Sequence, residues 1–526
     1  MARWGWVWAG LMLGGVGLAC GTEPAPAAEH ETPGVPPVEE TPAAGDPAAP
    51  TPPQDVPAPA AEPPPPTVHA NGEACGTVND CVRTTWQQDL CRFERVKETG
   101  ARCATATGEE GTCHLDTCLQ GVREAAWGWS DVEFSRFVGQ GPQGLLLQKT
   151  DYAYAGLVQL DGQGGARTLQ DGDGRTVLLA HGRYLVGYTS YNYGGIKLYE
   201  VRRLDRDEPA RSVDLTALVR ERLAEVGLFS EWVVPRWVQG APGQALMLVQ
   251  VNPASLWVGS FDLERLELGW SRVLSGALPA ETEPGLLEGV IADEDGQLYL
   301  SLDAGSPRLV ALSAAGGERW VLPGEARPVA VFGGTLFLDD GTVRDTADGA
   351  LRYRWSAAPN AQVRLSATHA AVAESCGKGC IQAQVLERES GRVLAQEQLP
   401  TPDSGYWSGL SGLLLAADGR VLVLQYVTHP ELTDTPFYIP LGIRWLEVRP
   451  QGGWTLHGES LFSEGGVPEA VLLEDSVVLR HLWSAHNTYP DQVPSSYYGF
   501  TWPGWSPPAH GWLGPQGGVG RALAPQ

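Results

Sequence analysis

Residues 296–322 read GQLYLSLDAGSPRLVALSAAGGERWVL: an apolar run, a Ser/Asp/Gly/Pro loop, a second apolar run, a tight Ala-Gly-Gly turn and a shorter third run. Short apolar runs bounded by turn formers are strands, and loops this brief join antiparallel neighbours. The pattern recurs from Gly144 (GLLLQKTDYAYAGLVQLDGQGGARTL), Gly182 (GRYLVGYTSYNYGGIKLYEVRRLD), Gln244 (QALMLVQVNPASLWVGSFDLERLELGW) and Gly334 (GTLFLDDGTVRDTADGALRYRW). Further copies start at His369, Gly419 and Asp475, which makes eight units with starts about 47 residues apart on average.

Another apolar segment precedes most copies, as at GVIA (289–292) and GLLLA (412–416), and supplies a fourth, innermost strand. A four-stranded antiparallel sheet that is apolar on both faces needs cover on both. Radial packing around an axis provides it. The sequence therefore predicts an all-β fold, a β-propeller of about eight four-stranded blades over residues 125–526, with seven as the alternative count. In the eighth unit the strands are DSVVLRHLWS, YYGFTWPGW and, as the outermost, GPQGGVGRAL. The longest interval contains DLTALVRERLAEVG from Asp214, where Leu215, Leu218, Val219 and Val226 recur at helical spacing. It predicts a surface helix between the second and third blades.

The turn chemistry carries a resemblance. Asp-x-x-x-Gly-x-x-x-aromatic occurs as Asp345, Gly349 and Tyr353, and in weaker form at Asp161 and Gly165 and at Glu387 and Gly391. It resembles the repeat of propellers related to pyrroloquinoline quinone enzymes, which implies eight blades. Trp320 stands one residue early when counted from Gly317. The quinone-dependent members of that family carry an adjacent cysteine pair, absent here, so no cofactor is expected.

The amino terminus has Arg3 followed by an apolar run from Trp4 to Ala19, shorter than the ~20 residues a bilayer core requires. Residues 1–19 read as a signal peptide. Its end, Gly17-Leu18-Ala19-Cys20-Gly21, resembles a bacterial lipobox, which implies lipidation of Cys20. Gly21, not Asp, after that cysteine resembles lipoproteins sent to the outer membrane of Gram-negative bacteria, facing the periplasm or the cell surface. Residues 20–70 hold 16 prolines, eight carboxylates and no Lys or Arg, a composition that extends without folding. At ~3.1 Å per residue this disordered tether reaches on the order of 150 Å.

Setting Cys20 aside leaves eight cysteines. Cys75, Cys81, Cys91, Cys103, Cys113 and Cys118 fall in a module over residues 71–120, and Cys376 and Cys380 flank Gly377-Lys378-Gly379. Even, grouped thiols in an exported chain form disulfides. Fifteen pairings are open for the six, whereas Cys376 with Cys380 suits a clasp across a hairpin. No CxxC spacing marks a zinc ribbon, and no metal is expected.

A formal charge of −25 with only four lysines argues against the clustered cations of a nucleic-acid surface, and no nucleic acid is expected. No HExxH helix or GxSxG elbow occurs. Ser301-Leu302-Asp303-Ala304-Gly305 partly resembles the Asp-box of sialidase-type propellers, with Arg308 where Trp belongs. Asp293-Glu294-Asp295-Gly296 and Asp171-Gly172-Asp173-Gly174 read as turns and not calcium loops. His481 and His486 are assigned to a polar loop. The expectation is a monomeric, non-enzymatic, membrane-anchored scaffold that binds a protein or glycan. The alternatives are an outer-membrane assembly factor, similar to the propeller lipoprotein of the barrel assembly machine, and a polysaccharide-acting enzyme. The candidate contacts are loop aromatics placed in one topological slot: Tyr152, Tyr154, Tyr188, Tyr191, Tyr193, Tyr438, Tyr497 and Tyr498.

Overall fold

The structure, a computed structural model, describes residues from Gly72 to Trp512. Within that span it leaves out 74–79, 88–89, 99, 105–107, 115–116, 121–123, 132–133, 142–143, 151–154, 162–164, 171–174, 190–197, 207, 231–232, 234, 279–288, 304, 357–360, 377–379, 400–406, 429–441, 461–468, 474–475, 483–494, 503–504 and 509–510. The signal peptide, Cys20 and the tether therefore lie outside the described residues.

Among the described residues, strand pairing builds eight antiparallel blades of four strands. Residues 134–170, 175–213, 236–275, 290–323, 328–354, 362–399 and 407–460 each supply one blade in chain order. The first strand of each blade packs against the first strand of the next, from blade one to blade eight, so these strands line the axis of a propeller. Strands such as Leu298–Leu302 are buried along their whole length, because each sheet is covered on both faces by its neighbours. The apolar layer between blades four and five is built this way, from Tyr299, Leu309 and Trp320 on one side and Leu336 and Phe337 on the other.

Blade eight corrects the sequence reading. Its outermost strand is not GPQGGVGRAL, which lies outside the described residues apart from what precedes it. Glu124–Asp131 takes that place, pairing Trp129 with Tyr497 and Gly128 with Tyr498. The ring thus closes by hydrogen bonds between the segment that precedes blade one and the third strand of blade eight. After Thr501 the chain runs on instead through Trp502 and Trp505, both buried. Its last described strand, Gly511–Trp512, adds a fifth strand to the innermost edge of blade six at Leu365 and Ser366.

The inserted helix is present as Leu215–Glu225, with Asp214 as its N-cap accepting from Ala217 N. Its buried side chains are Leu215, Val219 and Leu223, whereas Val226 falls past the helix and is exposed.

The cysteine-rich segment forms a hairpin, Val82–Gln87 with Leu90–Arg95, and a three-stranded sheet, Arg102–Ala104, Glu110–His114 and Thr117–Gln120. Disulfides join Cys81 to Cys113 and Cys103 to Cys118. Cys75 is outside the described residues, and Cys91 lies in the second strand of the hairpin. The module packs on the propeller: Thr117–Gln120 lies against the outermost strand of blade seven, Trp454–Ser460. Leu119 is fully buried in a cluster with Leu414, Trp445, Trp502 and Trp505.

Candidate binding face

Antiparallel order sorts the connections onto two ends of the propeller. Turns between first and second strands, and between third and fourth, emerge on one face. Loops between second and third strands, together with the links between blades, emerge on the other. The second-to-third loops occupy 151–154, 190–197, 253–254, 303–307, 339–341, 376–380, 429–441 and 483–494. On the opposite face no first-to-second turn exceeds the five residues of 293–297 or 416–420. The described strand ends that flank the aromatic-bearing segments of the sequence analysis lie at that end of the blades, while the segments themselves lie outside the described residues.

Tyr152, Tyr154, Tyr191, Tyr193 and Tyr438 lie outside the described residues. Three of the expected loop tyrosines are strand residues instead. Tyr188 lies in Tyr184–Thr189, opposite Thr176 and Tyr199. Tyr497 and Tyr498 lie in Ser495–Thr501, between Arg480 and Leu479 on one side and Trp129 and Gly128 on the other. Their aromatic, β-favouring runs extend the ladders further than the turn signals suggested. His481 likewise belongs to strand Ser476–Leu482 and not to a loop. The Cys376–Cys380 disulfide is formed and clasps the second-to-third loop of blade six, where Cys376 N donates to Cys380 O at 3.0 Å. Asp303 turns its loop by accepting from Gly305 N, and Arg308 donates to Ser275 O at 2.8 Å on blade three. The damaged Asp-box is turn geometry.

The loop face carries a cleft of about 460 Å³ between blades four and five. That volume is in the range of small-molecule and side-chain pockets. The link 323–327 forms one wall, and Leu338, Asp339, Asp340 and Arg344 form the other, over a floor that includes Leu309 and Leu322. Asp339 is locked in place, since its Oδ1 accepts Arg327 N at 2.7 Å while its own N–H donates to Arg327 O at 2.9 Å. Burial raises the Asp339 carboxyl above the ordinary range, opposed by the Arg327 backbone bond and charge. Asp340 spends Oδ1 on Thr342 N and Oγ1, at 2.9 and 2.6 Å. Arg344 donates from Nη1 to Gly349 O at 2.9 Å. Mixed charge around an apolar floor suits a polar chain with side chains of both signs. Sequence reasoning missed this cleft, although Asp339-Asp340-Gly341 marks its loop.

The turn face works differently, because its bonds run from blade to blade. Trp270 Nε1 on blade three donates to Ala314 O on blade four at 2.6 Å, and Trp320 Nε1 on blade four to Thr346 O on blade five at 3.0 Å. Tyr353 Oη on blade five then donates to Arg388 O on blade six. Each ring lies over a turn residue of left-handed conformation, where a Cβ on Gly316 or Gly391 would come within 2.3 Å of the ring of Trp270 or Tyr353. The register also resolves the position of Trp320. The turn residue is Gly316 (φ 79°), four before Trp320, as Gly349 (φ 74°) is four before Tyr353. Leu266 (φ 61°) holds that position before Trp270. In blade six Ala395 replaces the aromatic, and Glu397 reaches Gly453 N of blade seven at 2.6 Å instead.

Asp293 is structural too, but within its own blade. Its oxygens accept from Asp295 N, Gln297 N, Gln297 Nε2 and Tyr299 Oη at 2.8 to 3.1 Å, so the turn is closed on itself. The densest cluster centres on Glu447 of blade seven, 5% exposed. It accepts from His457 Nε2 at 3.1 Å, Arg449 Nε at 3.2 Å and Trp505 Nε1 at 3.3 Å, with Arg420 Nη1 at 3.6 Å. Burial alone raises this carboxyl, but the hydrogen bond and charge of His457, with Arg449 and Arg420, outweigh it and hold the group at about 2. Arg420 also lies over the Trp505 ring at 5.1 Å, and Ala417 N donates to Ser506 O at 2.9 Å. The carboxyl-terminal segment is thereby pinned across the turn face.

No protein-family model matches the sequence, and no curated protein matches it. Solved structures are similar in fold at low identity. BamB from Moraxella catarrhalis is 11% identical, with a TM-score of 0.39 over 70% of this chain and 99% of that one. The carboxyl-terminal WD40 domain of Sif2 is 9% identical, with 0.40 over 70% and 97%. A streptogramin B lyase is 12% identical, with 0.30 over 56% and 94%.

Proposed function

We propose that the chain is an envelope lipoprotein, anchored through Cys20 to the outer membrane, whose propeller presents its loop face as a non-catalytic binding or scaffold surface for a protein or glycan. The observation that carries this reading is the division between the two faces. Turn-face bonds hold blades together and pin the segment through Trp502 and Trp505, whereas the cleft and the strand ends that flank the longest connections lie on the opposite face. Binding residues concentrate on loops held by a rigid scaffold, because a loop can vary without disturbing the core. The cysteine module buries Leu119 with Ala416, Trp502 and Trp505, residues of the turn side, and leaves the loop face uncovered by this contact. No helix among the described residues is long and apolar enough to cross a membrane, and the anchor in this reading is the lipid on Cys20.

The test has two arms. Fractionation should move a Cys20→Ser variant from the membrane to the soluble fraction while it stays folded. Photo-crosslinkers placed at positions 325 and 340 should capture an envelope protein or glycan in cells, and crosslinkers at positions 314 and 347 on the turn face should not. Capture from the turn face alone, or turnover of a glycan by the purified chain, would overturn the reading.

A further inference from the structure

Arg364 sits on the innermost strand of blade six, Gln362–Ser366, and is 6% exposed. It pairs across the ladder with Ala371, whose side of the sheet belongs to the apolar layer shared with blade seven through Leu413, Val423 and Leu446. Buried guanidinium groups need acceptors, and two others show what saturation looks like. Arg203 is paired with Asp205 at 2.8 Å and Glu264 at 3.1 Å. Arg388 is ringed by the carbonyls of Phe332, Gly333 and Ala367 at 2.7 to 3.1 Å.

Arg364 has far less. Nη1 donates to Val363 O at 2.9 Å, Nη2 only reaches Gln362 Oε1 at 3.5 Å, and Nε has no acceptor. The edge of the guanidinium formed by Nε and Nη2 is therefore held only by that one long bond, with Nε unsatisfied, and that edge matches two oxygens of one carboxylate or phosphate. Burial lowers the guanidinium to about 10, with no charge opposing the shift. Gln425 and Arg444, a cross-strand pair on blade seven two residues from Val423 and Leu446, add an amide and a second guanidinium to the same layer.

We propose that the layer between blades six and seven, beside the axis, is an oxyanion site in which Arg364 takes a carboxylate or phosphate through Nε and Nη2. The site is independent of the loop-face reading, since it lies within the ring and uses none of the loops.

The full chain is tested by thermal unfolding and calorimetric titration with acetate and with inorganic phosphate, against chloride at equal ionic strength. Either oxyanion should raise the melting temperature saturably, and the one that does so identifies the ligand class. Arg364→Met should abolish that effect, and it should melt no lower than the wild type in chloride, because it removes an unpaired buried charge. Arg364→Lys keeps the charge but loses the fork, and it should weaken binding about tenfold. If neither anion acts beyond chloride on the wild type, or if both variants respond as the wild type does, the site does not exist. Should Arg364→Met fail to fold, the lysine variant and the wild-type saturation decide.

Discussion

The two faces of this propeller are built by opposite rules. On the turn face, several described side chains are committed to the next blade: Trp270, Trp320, Tyr353 and Glu397 each reach a turn of their neighbour. On the loop face, described bonds stay mostly within one blade, as Trp355 N to Gly341 O and Gly324 N to Pro307 O do, both at 2.9 Å. Arg308 to Ser275 O is an exception that ties blades three and four. A ring needs stitching at one end only. The other end is released to carry long connections, and this permits a binding surface to change without loss of the fold.

The comparison breaks most sharply at Glu447. Replacing it by Ala leaves His457, Arg449 and Arg420 facing a cavity, and the expected loss is ~3–5 kcal/mol, read as a fall in the denaturant midpoint. The same residue sets an acid limit. Its folded carboxyl is held at about 2 against an ordinary 4.5. A depressed folded value means that the stabilisation is complete above about pH 4.5 and is lost as pH falls toward 2. The shift is worth roughly 3 kcal/mol. Glu447→Gln should therefore flatten the stability profile across that interval, and an unchanged profile would remove the cluster from its role.

Next in size is the cysteine module on the same side of the molecule. Cys81–Cys113 closes a separation of 32 residues, and the double variant Cys81→Ala/Cys113→Ala should cost ~2–4 kcal/mol. Two assigned pairs leave Cys75 and Cys91, so peptide mapping under non-reducing conditions should find that third bridge. A Cys75–Cys20 link would contradict both the pairing and the lipid anchor. Smaller again is Trp320→Phe, which keeps most of the ring over Gly349 but loses the bond to Thr346 O, for ~1 kcal/mol.

What the sequence disclosed was repetition. Alternating apolar runs and Asp/Gly turns recur in every blade, and the helix at Leu215 announces itself by spacing. The closing strand did not, because Glu124–Asp131 meets Tyr497 only after the whole ring has formed, and no local signal encodes that partner. Trp320 looked displaced because Gly316 and Gly317 are both glycines and only the backbone shows which one is left-handed. The cleft escaped notice since its walls come from separate blades. Arg364 escaped for another reason: Gln-Val-Arg-Leu-Ser alternates like a strand with one wet face, and burial of the polar positions follows from the neighbouring blade.

The smallest expected effect on stability falls on the loop face, and it is the one that bears on function. Tyr191, Tyr193 and Tyr438 stand in sequence between the second and third strands of blades two and seven, outside the described residues. Replacing all three by Ala removes large, stiff, polar-tipped contact area of the kind that grips peptides and sugars. If these rings serve binding, the triple variant should keep its unfolding midpoint within about 0.5 kcal/mol of the wild type and lose capture of the envelope partner. If instead they roof the channel mouth, the midpoint should fall by more than that, and both faces would then be structural. A matched control on the other face, Trp270→Ala, should do the reverse, because Trp270 joins two blades through Ala314 O and lies over Gly316. Measured side by side, the two variants separate a surface kept for recognition from one kept for the ring.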